Sequence, residues 1–152
     1  MIQYSCLSFA ELSTQQLYEI MALRQEVFVV EQNCPYLDAD GNDYDSYHVV
    51  GYQEGKLVTY TRLVPQGLSY EDYPSIGRVV SSPSVRGQGL GDELMNKSIA
   101  YCRELWGDKT IKISAQCYLL KWYERLGFVP VGKEYLEDDI PHHGMVLKVV
   151  EL

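Results

Sequence analysis

The run Val85-Arg86-Gly87-Gln88-Gly89-Leu90-Gly91 constrains this chain more than any other stretch. It joins an apolar segment, Ile76-Gly77-Arg78-Val79-Val80, to a segment whose helical period begins near Leu90. Three alternating glycines at a strand-to-helix junction leave backbone N–H groups bare. The first amides of a helix have no partner within it, and the positive end of its dipole lies among them, so such a junction attracts phosphate. Without side chains the backbone can also come close to a ligand. An anion, and a pyrophosphate in particular, is therefore expected at the start of this helix. Spacing excludes two common phosphate loops. In G-x-G-x-x-G the last glycine would fall where Asp92 stands, and no Gly-Lys-Ser/Thr follows to complete a Walker A loop.

The pattern that does fit is Arg-x-x-Gly-x-Gly, read at Arg86, Gly89 and Gly91. It resembles the coenzyme A loop of the GNAT acetyltransferases. Ile111-Lys112-Ile113-Ser114-Ala115-Gln116, followed by residues 118–128 with Tyr123, Gly127 and Phe128, is similar to a second motif of that family. There a polar amide residue precedes a short helix that carries a tyrosine and ends in Gly-Phe. The stretches Leu23-Arg24-Gln25-Glu26-Val27-Phe28-Val29-Val30-Glu31-Gln32, Cys34-Pro35-Tyr36 and Asp40-Gly41-Asn42-Asp43 resemble the ElaA-like branch, as does the tail from Tyr135 to His142.

The resemblance spans nearly the whole chain. It implies an α/β (α+β) fold in one domain, 1–152, with a mixed, mostly antiparallel sheet of six to seven strands and helices on both faces. It implies acetyl-CoA as co-substrate. The backbone of Val79, Val80 and Ser81 would run beside the pantetheine arm, with an N–H there, that of Val80, for the oxyanion. Arg86, Gly87, Gln88, Gly89, Leu90 and Gly91 would hold the pyrophosphate. Gln116 stands where the family has Asn and would meet the arm, and Tyr123 stands where the family has its general acid. GNAT proteins commonly dimerise, so a homodimer is an expectation as well.

Composition sets the remaining bounds. A chain of 152 residues suits one domain with a sizeable core. No stretch approaches the ~20 apolar residues of a membrane helix, and the N-terminus lacks the pattern of a signal peptide. The expected location is the cytoplasm, where Cys6, Cys34, Cys102 and Cys117 would be free thiols. The formal net charge of -8 disfavours nucleic acid and anionic membranes as partners. It would suit a cationic acceptor, although simple solubility is the favoured explanation of the balance.

Periodicity and turn residues predict a strand over 4–9 and a helix capped by Ser13 or Thr14 that runs to about Phe28. Strands follow over 48–52, 57–64 and 76–81, then a helix from Leu90 ended by Gly107-Asp108. A strand over 111–115, a helix over 118–126 and closing strands near 128–135 and 143–150 complete the order.

The chemistry expected is acyl transfer to a primary amine of a small molecule or peptide, by direct attack in a ternary complex. A departing thiolate needs a proton, and a phenol with pKa near 10 is matched to that task, which suits Tyr123. An ammonium acceptor must first lose a proton, for which Glu31 and His142 are the candidates. Arg24, Arg78, Asp40 and Glu137 are the expected acceptor contacts. Cys117 is read as an ordinary thiol rather than a nucleophile. The acidic run from Asp38 is not an EF-hand, since Asp43 and Val49 stand where Gly and Glu are needed, and no metal is called for. Two other readings stand beside the enzyme. One is a non-catalytic acyl-CoA sensor, which would have no need of Tyr123. The other is a relative of the acyl-homoserine lactone synthases, suggested by Arg24, Phe28, Asp43 and Asp45 but lacking the tryptophan that family places between them.

Overall fold

Strand β3 (Lys56–Val64) lies at the centre of the fold, and only its first residue is exposed. A strand buried on both faces needs a layer on each side, and the computed structural model, which describes residues 1–149, supplies them. The sheet has seven strands in the order β1-β2-β3-β4-β5-β7-β6. They are β1 (Gln3–Ser8), β2 (Tyr47–Gln53), β3, β4 (Ser75–Ser81), β5 (Ile111–Gln116), β6 (Val129–Glu137) and β7 (Ile140–Leu147). All neighbouring pairs are antiparallel except β4 and β5. This is the mixed sheet expected from the sequence.

Helix α1 (Thr14–Arg24) covers one face, placing Ile20 and Leu23 against Val50, Tyr60 and Val80. Helices α2 (Leu90–Trp106) and α3 (Leu120–Arg125) cover the other, where Leu94, Met95, Ile99 and Tyr123 pack on Val49, Leu63, Ile76, Ile113 and Met145. Val49 and Val50 thus enter different cores, as the two-residue period of a strand requires. Ser13 caps α1: its hydroxyl accepts from the Gln16 N–H at 3.0 Å, and Gln16 Oε1 accepts from the Ser13 N–H at 2.9 Å.

Two irregularities position the site. The first is in β4. Tyr60 pairs with Val80 and Arg62 with Gly77, so Thr61 alone faces both Arg78 and Val79. This is a β-bulge, and Arg78 takes a φ of 49° within it. The extra residue reverses the side-chain alternation. Ile76 and Val80, four apart, would share a face in a regular strand but enter opposite cores. The second is in the first helix. The expected helix does continue past Arg24, but as a π-helical segment, Gln25–Glu31, with the Gln32 N–H bonded to the Val27 carbonyl. Such wide turns are rare and cluster at functional sites.

The closing strands differ from expectation at their boundaries. β6 runs on to Glu137 and β7 begins at Ile140, with Asp138 and Asp139 at positive φ making the turn. The last predicted strand residue, Val150, lies outside the described residues.

Candidate active site

The parallel partners β4 and β5 touch in register at one pair, Ser75 and Lys112. Beyond it the two strands are not paired, and a cleft of about 610 Å³ occupies the gap. The π segment contributes Val27, Phe28, Val29 and Glu31 to its wall. The bulged strand contributes Arg78, Val79, Val80 and Ser81, and the end of β5 gives Ser114 and Gln116. Trp122 and Tyr123 enter from α3, while Glu137, Asp138 and His142 enter from the β6–β7 hairpin.

One end of the cleft is built for an anion. Gly89 caps α2 at a φ of 73° and Gly87 precedes it at 82°, a backbone region that other residues enter at a cost. No side chain caps the first amides of α2, and nothing lies within 4 Å of where a Cβ would stand on Gly87 or Gly89. Bare amides, open space and a 17-residue helix behind them fit a pyrophosphate. Arg86 stands beside them and donates to Glu31 Oε1 at 2.5 Å, drawing the rim of the π segment towards the loop.

Gly91 has a different reason for being glycine. A Cβ there would meet the Trp122 ring at 3.2 Å. Trp122 Nε1 donates to Asp92 Oδ1 at 2.5 Å and so ties up an acid in the first turn of α2. The phosphate cradle alone would account for a glycine at position 91, and the local sequence assigns Trp122 no role. The pairing with Asp92, thirty positions away, leaves no local signal.

Tyr123 is 6% exposed and packs edge-on against Phe128, with ring centroids 5.8 Å apart. Burial, with a smaller push from Tyr118, raises its pKa well above the ordinary phenol value. The hydroxyl is therefore un-ionised at neutral pH, and as a proton donor it is weaker than a free phenol. Gln116 Nε2 donates to Gln32 Oε1 at 3.4 Å across the cleft. On the adjacent strand His142 pairs in register with Gln116, so both side chains stand on one face. Cys117 is not among the residues of the wall. Burial and the Glu134 carboxylate raise its thiol pKa, which disfavours a nucleophile.

Two expected acceptor contacts lie elsewhere. Arg24 is fully buried, with Nε 2.7 Å from Asp38 and Nη1 2.6 Å from Asp43. Asp40 binds Arg62 at 2.8 Å and Arg78 at 3.4 Å and does not border the cleft. With Arg62–Asp43 at 3.1 Å and Arg78–Asp38 at 2.8 Å, three arginines and three aspartates close a ring of alternating charge. Each member touches two of the opposite sign. A fully buried guanidinium with both of its acids in place has nothing left for a substrate, so Arg24 supports the wall from beneath. Arg78 and Asp38 are the two members that reach the cleft. Burial opposes the charge on Asp40, but hydrogen bonds from Arg62 and the Asn42 N–H, with the charges of Arg62 and Arg78, outweigh it and hold the carboxyl at about 2.

A family model described as an acetyltransferase (GNAT) domain matches residues 10–149. The chain belongs to the GNAT acyltransferase family. It is 42% identical to the protein ElaA of Escherichia coli strain K12 over 153 residues, 99% of each chain. The crystal structure of E. coli ElaA superposes with a TM-score of 0.90 at 41% identity, over 97% of this chain and 100% of that one. An acyl-CoA N-acyltransferase of Pseudomonas aeruginosa superposes at 0.91 with 44% identity, over 96% and 99%. Within the family, this likeness is to the ElaA-like branch. A CoA-dependent acyl-homoserine lactone synthase shares the fold alone, with a TM-score of 0.81 at 17% identity over 99% of this chain and 84% of that one.

Proposed function

We propose that this acyltransferase moves an acetyl group from acetyl-CoA to a primary amine of a small molecule or peptide, by direct attack with both substrates bound. The observation that carries the reading is the meeting of an uncapped helix start and a buried tyrosine hydroxyl along one cleft. The amides around Gly87 to Leu90, with Arg86, would receive the pyrophosphate. The bulge at Arg78 and Val79 takes β4 out of regular pairing. It would leave backbone of Val79, Val80 and Ser81 available to the pantetheine arm, with an N–H for the oxyanion, a preorganised donor of the kind worth about 3 kcal/mol. Gln116 would meet the same arm from β5. Tyr123 would give its proton to the sulfur as the C–S bond breaks. The acceptor would lie towards Arg78, Glu137 and His142. No step draws on a metal, and the reaction is proposed for the cytoplasm.

Titration calorimetry with acetyl-CoA, followed by thiol-release assays over polyamines, amino sugars, amino acids and peptide amines, tests the reading. Binding with turnover of an amine supports it. Binding without turnover of any amine would assign the chain to acyl-CoA sensing.

A further inference from the structure

We infer that His142 is the general base, with Glu137 as its positioning partner. The inference rests on the acetyl-transfer reading. His142 Nδ1 lies 2.7 Å from the carbonyl oxygen of Ile140. A carbonyl oxygen only accepts, so the neutral ring carries its proton on Nδ1, and Nε2 is left with a bare lone pair. Nε2 lies 3.4 Å from Glu137 Oε2. Two acceptors facing each other gain little, but once Nε2 takes a proton the pair becomes a charge-assisted contact. The ring is 6% exposed and is stacked on Tyr135, with centroids 6.2 Å apart and planes at 22°. Its tautomer and its plane are therefore set before any substrate arrives, and the space it borders is the cleft. The other candidate, Glu31, already has a carboxylate oxygen 2.5 Å from Arg86.

The proton balance is simple. His142 Nε2 takes one proton from the acceptor ammonium, and the neutral amine then attacks the thioester carbonyl. The nitrogen sheds a second proton as the C–N bond forms and the C–S bond breaks. That proton replaces the one Tyr123 gives to sulfur. One proton remains on His142 and passes to solvent.

The groups around the ring that titrate are Glu137 and Tyr135 on β6 and Asp138 in the turn, with Tyr70 reaching Tyr135 and Glu137 from the loop ahead of β4. Of these, only Glu137 makes an ion pair with His142. Nitrogen-detected histidine NMR on the intact chain reads the tautomer directly: the Nδ1–H form is expected, and the Nε2–H form would overturn the inference. Activity is then measured with acetyl-CoA and a panel of spermidine, lysine, glucosamine and alkylamines. His142→Gln is expected to lower kcat/KM by about 10²-fold or more, to abolish the acid limb of the pH profile, and to keep acetyl-CoA binding. Glu137→Gln, at an exposed position, is expected to lower kcat by a smaller factor with acetyl-CoA binding unchanged. A His142→Gln chain as active as wild type removes the base and leaves acetyl transfer intact. A wild-type chain that binds acetyl-CoA but acetylates no amine removes acetyl transfer, and the base with it.

Discussion

Tyr123 has only one hydroxyl, and losing it should separate chemistry from binding. Tyr123→Phe keeps the ring packed on Phe128 and Trp122. We expect kcat to fall by about 10²-fold or more while the calorimetric affinity for acetyl-CoA is unchanged. A mutant with full turnover would refute the role. Asp43 tests a different kind of dependence. It is 6% exposed and holds both Arg24 and Arg62, so Asp43→Ala leaves a fully buried guanidinium short of one partner. Breaking a buried pair in this way costs about 3–5 kcal/mol, which urea denaturation would measure. At this scale the sequence was partly legible. Tyr123, Arg86 and Gln116 carry local motifs, and all three stand along the cleft. Arg24 and Asp40 are expected as acceptor contacts because they lie in and just after the first helix, a segment from which this fold often builds its acceptor site. Their charged partners are 14 to 38 positions away, a separation that no spacing rule encodes.

The start of α2 is the element on which the phosphate reading depends. Gly89→Ala puts a side chain at a φ of 73°, a strain of about 1–2 kcal/mol. The thermal midpoint should fall by several degrees, and acetyl-CoA affinity should fall with it because the bare amides shift. An unchanged affinity would mean that the loop does not hold the phosphates. Element order and type were readable from period and punctuation: alternation for the strands, Ser13 for the first helix start, Gly107 for the end of the second. The π turn and the β4 bulge were not. Arg78 does interrupt the apolar run, and that is the one trace of the bulge in the sequence. The register shift itself is decided by what Thr61 faces across the sheet.

Across the whole molecule, acid should act in two stages. His48 is fully buried, with Nδ1 2.7 Å from the Tyr60 hydroxyl and Nε2 3.0 Å from the Asp43 carbonyl. Burial lowers its pKa from the ordinary 6.5, the nearby arginines adding to this and Asp43 opposing it. The unfolded chain binds a proton at this histidine as pH falls through about 6.5, and the folded chain resists. Stability should thus be complete above that pH and decline as pH drops towards 5. Below about pH 4 a second decline follows, as Asp40, held at about 2, and its lowered neighbour Asp43 begin to demand protons only the unfolded chain accepts. Thermal melts at pH 7, 5 and 3 check both stages, and His48→Gln should flatten the first alone. The chain also brings its own means of observation. It has two tryptophans, and one of them, Trp122, lies against Gly91 with its indole N–H on Asp92. Any ligand that settles on the start of α2 alters the surroundings of that indole, while Trp106, packed edge-on against Tyr47, is left as a steady background. Intrinsic fluorescence is therefore a label-free signal for cofactor loading, and Trp122→Phe is its control.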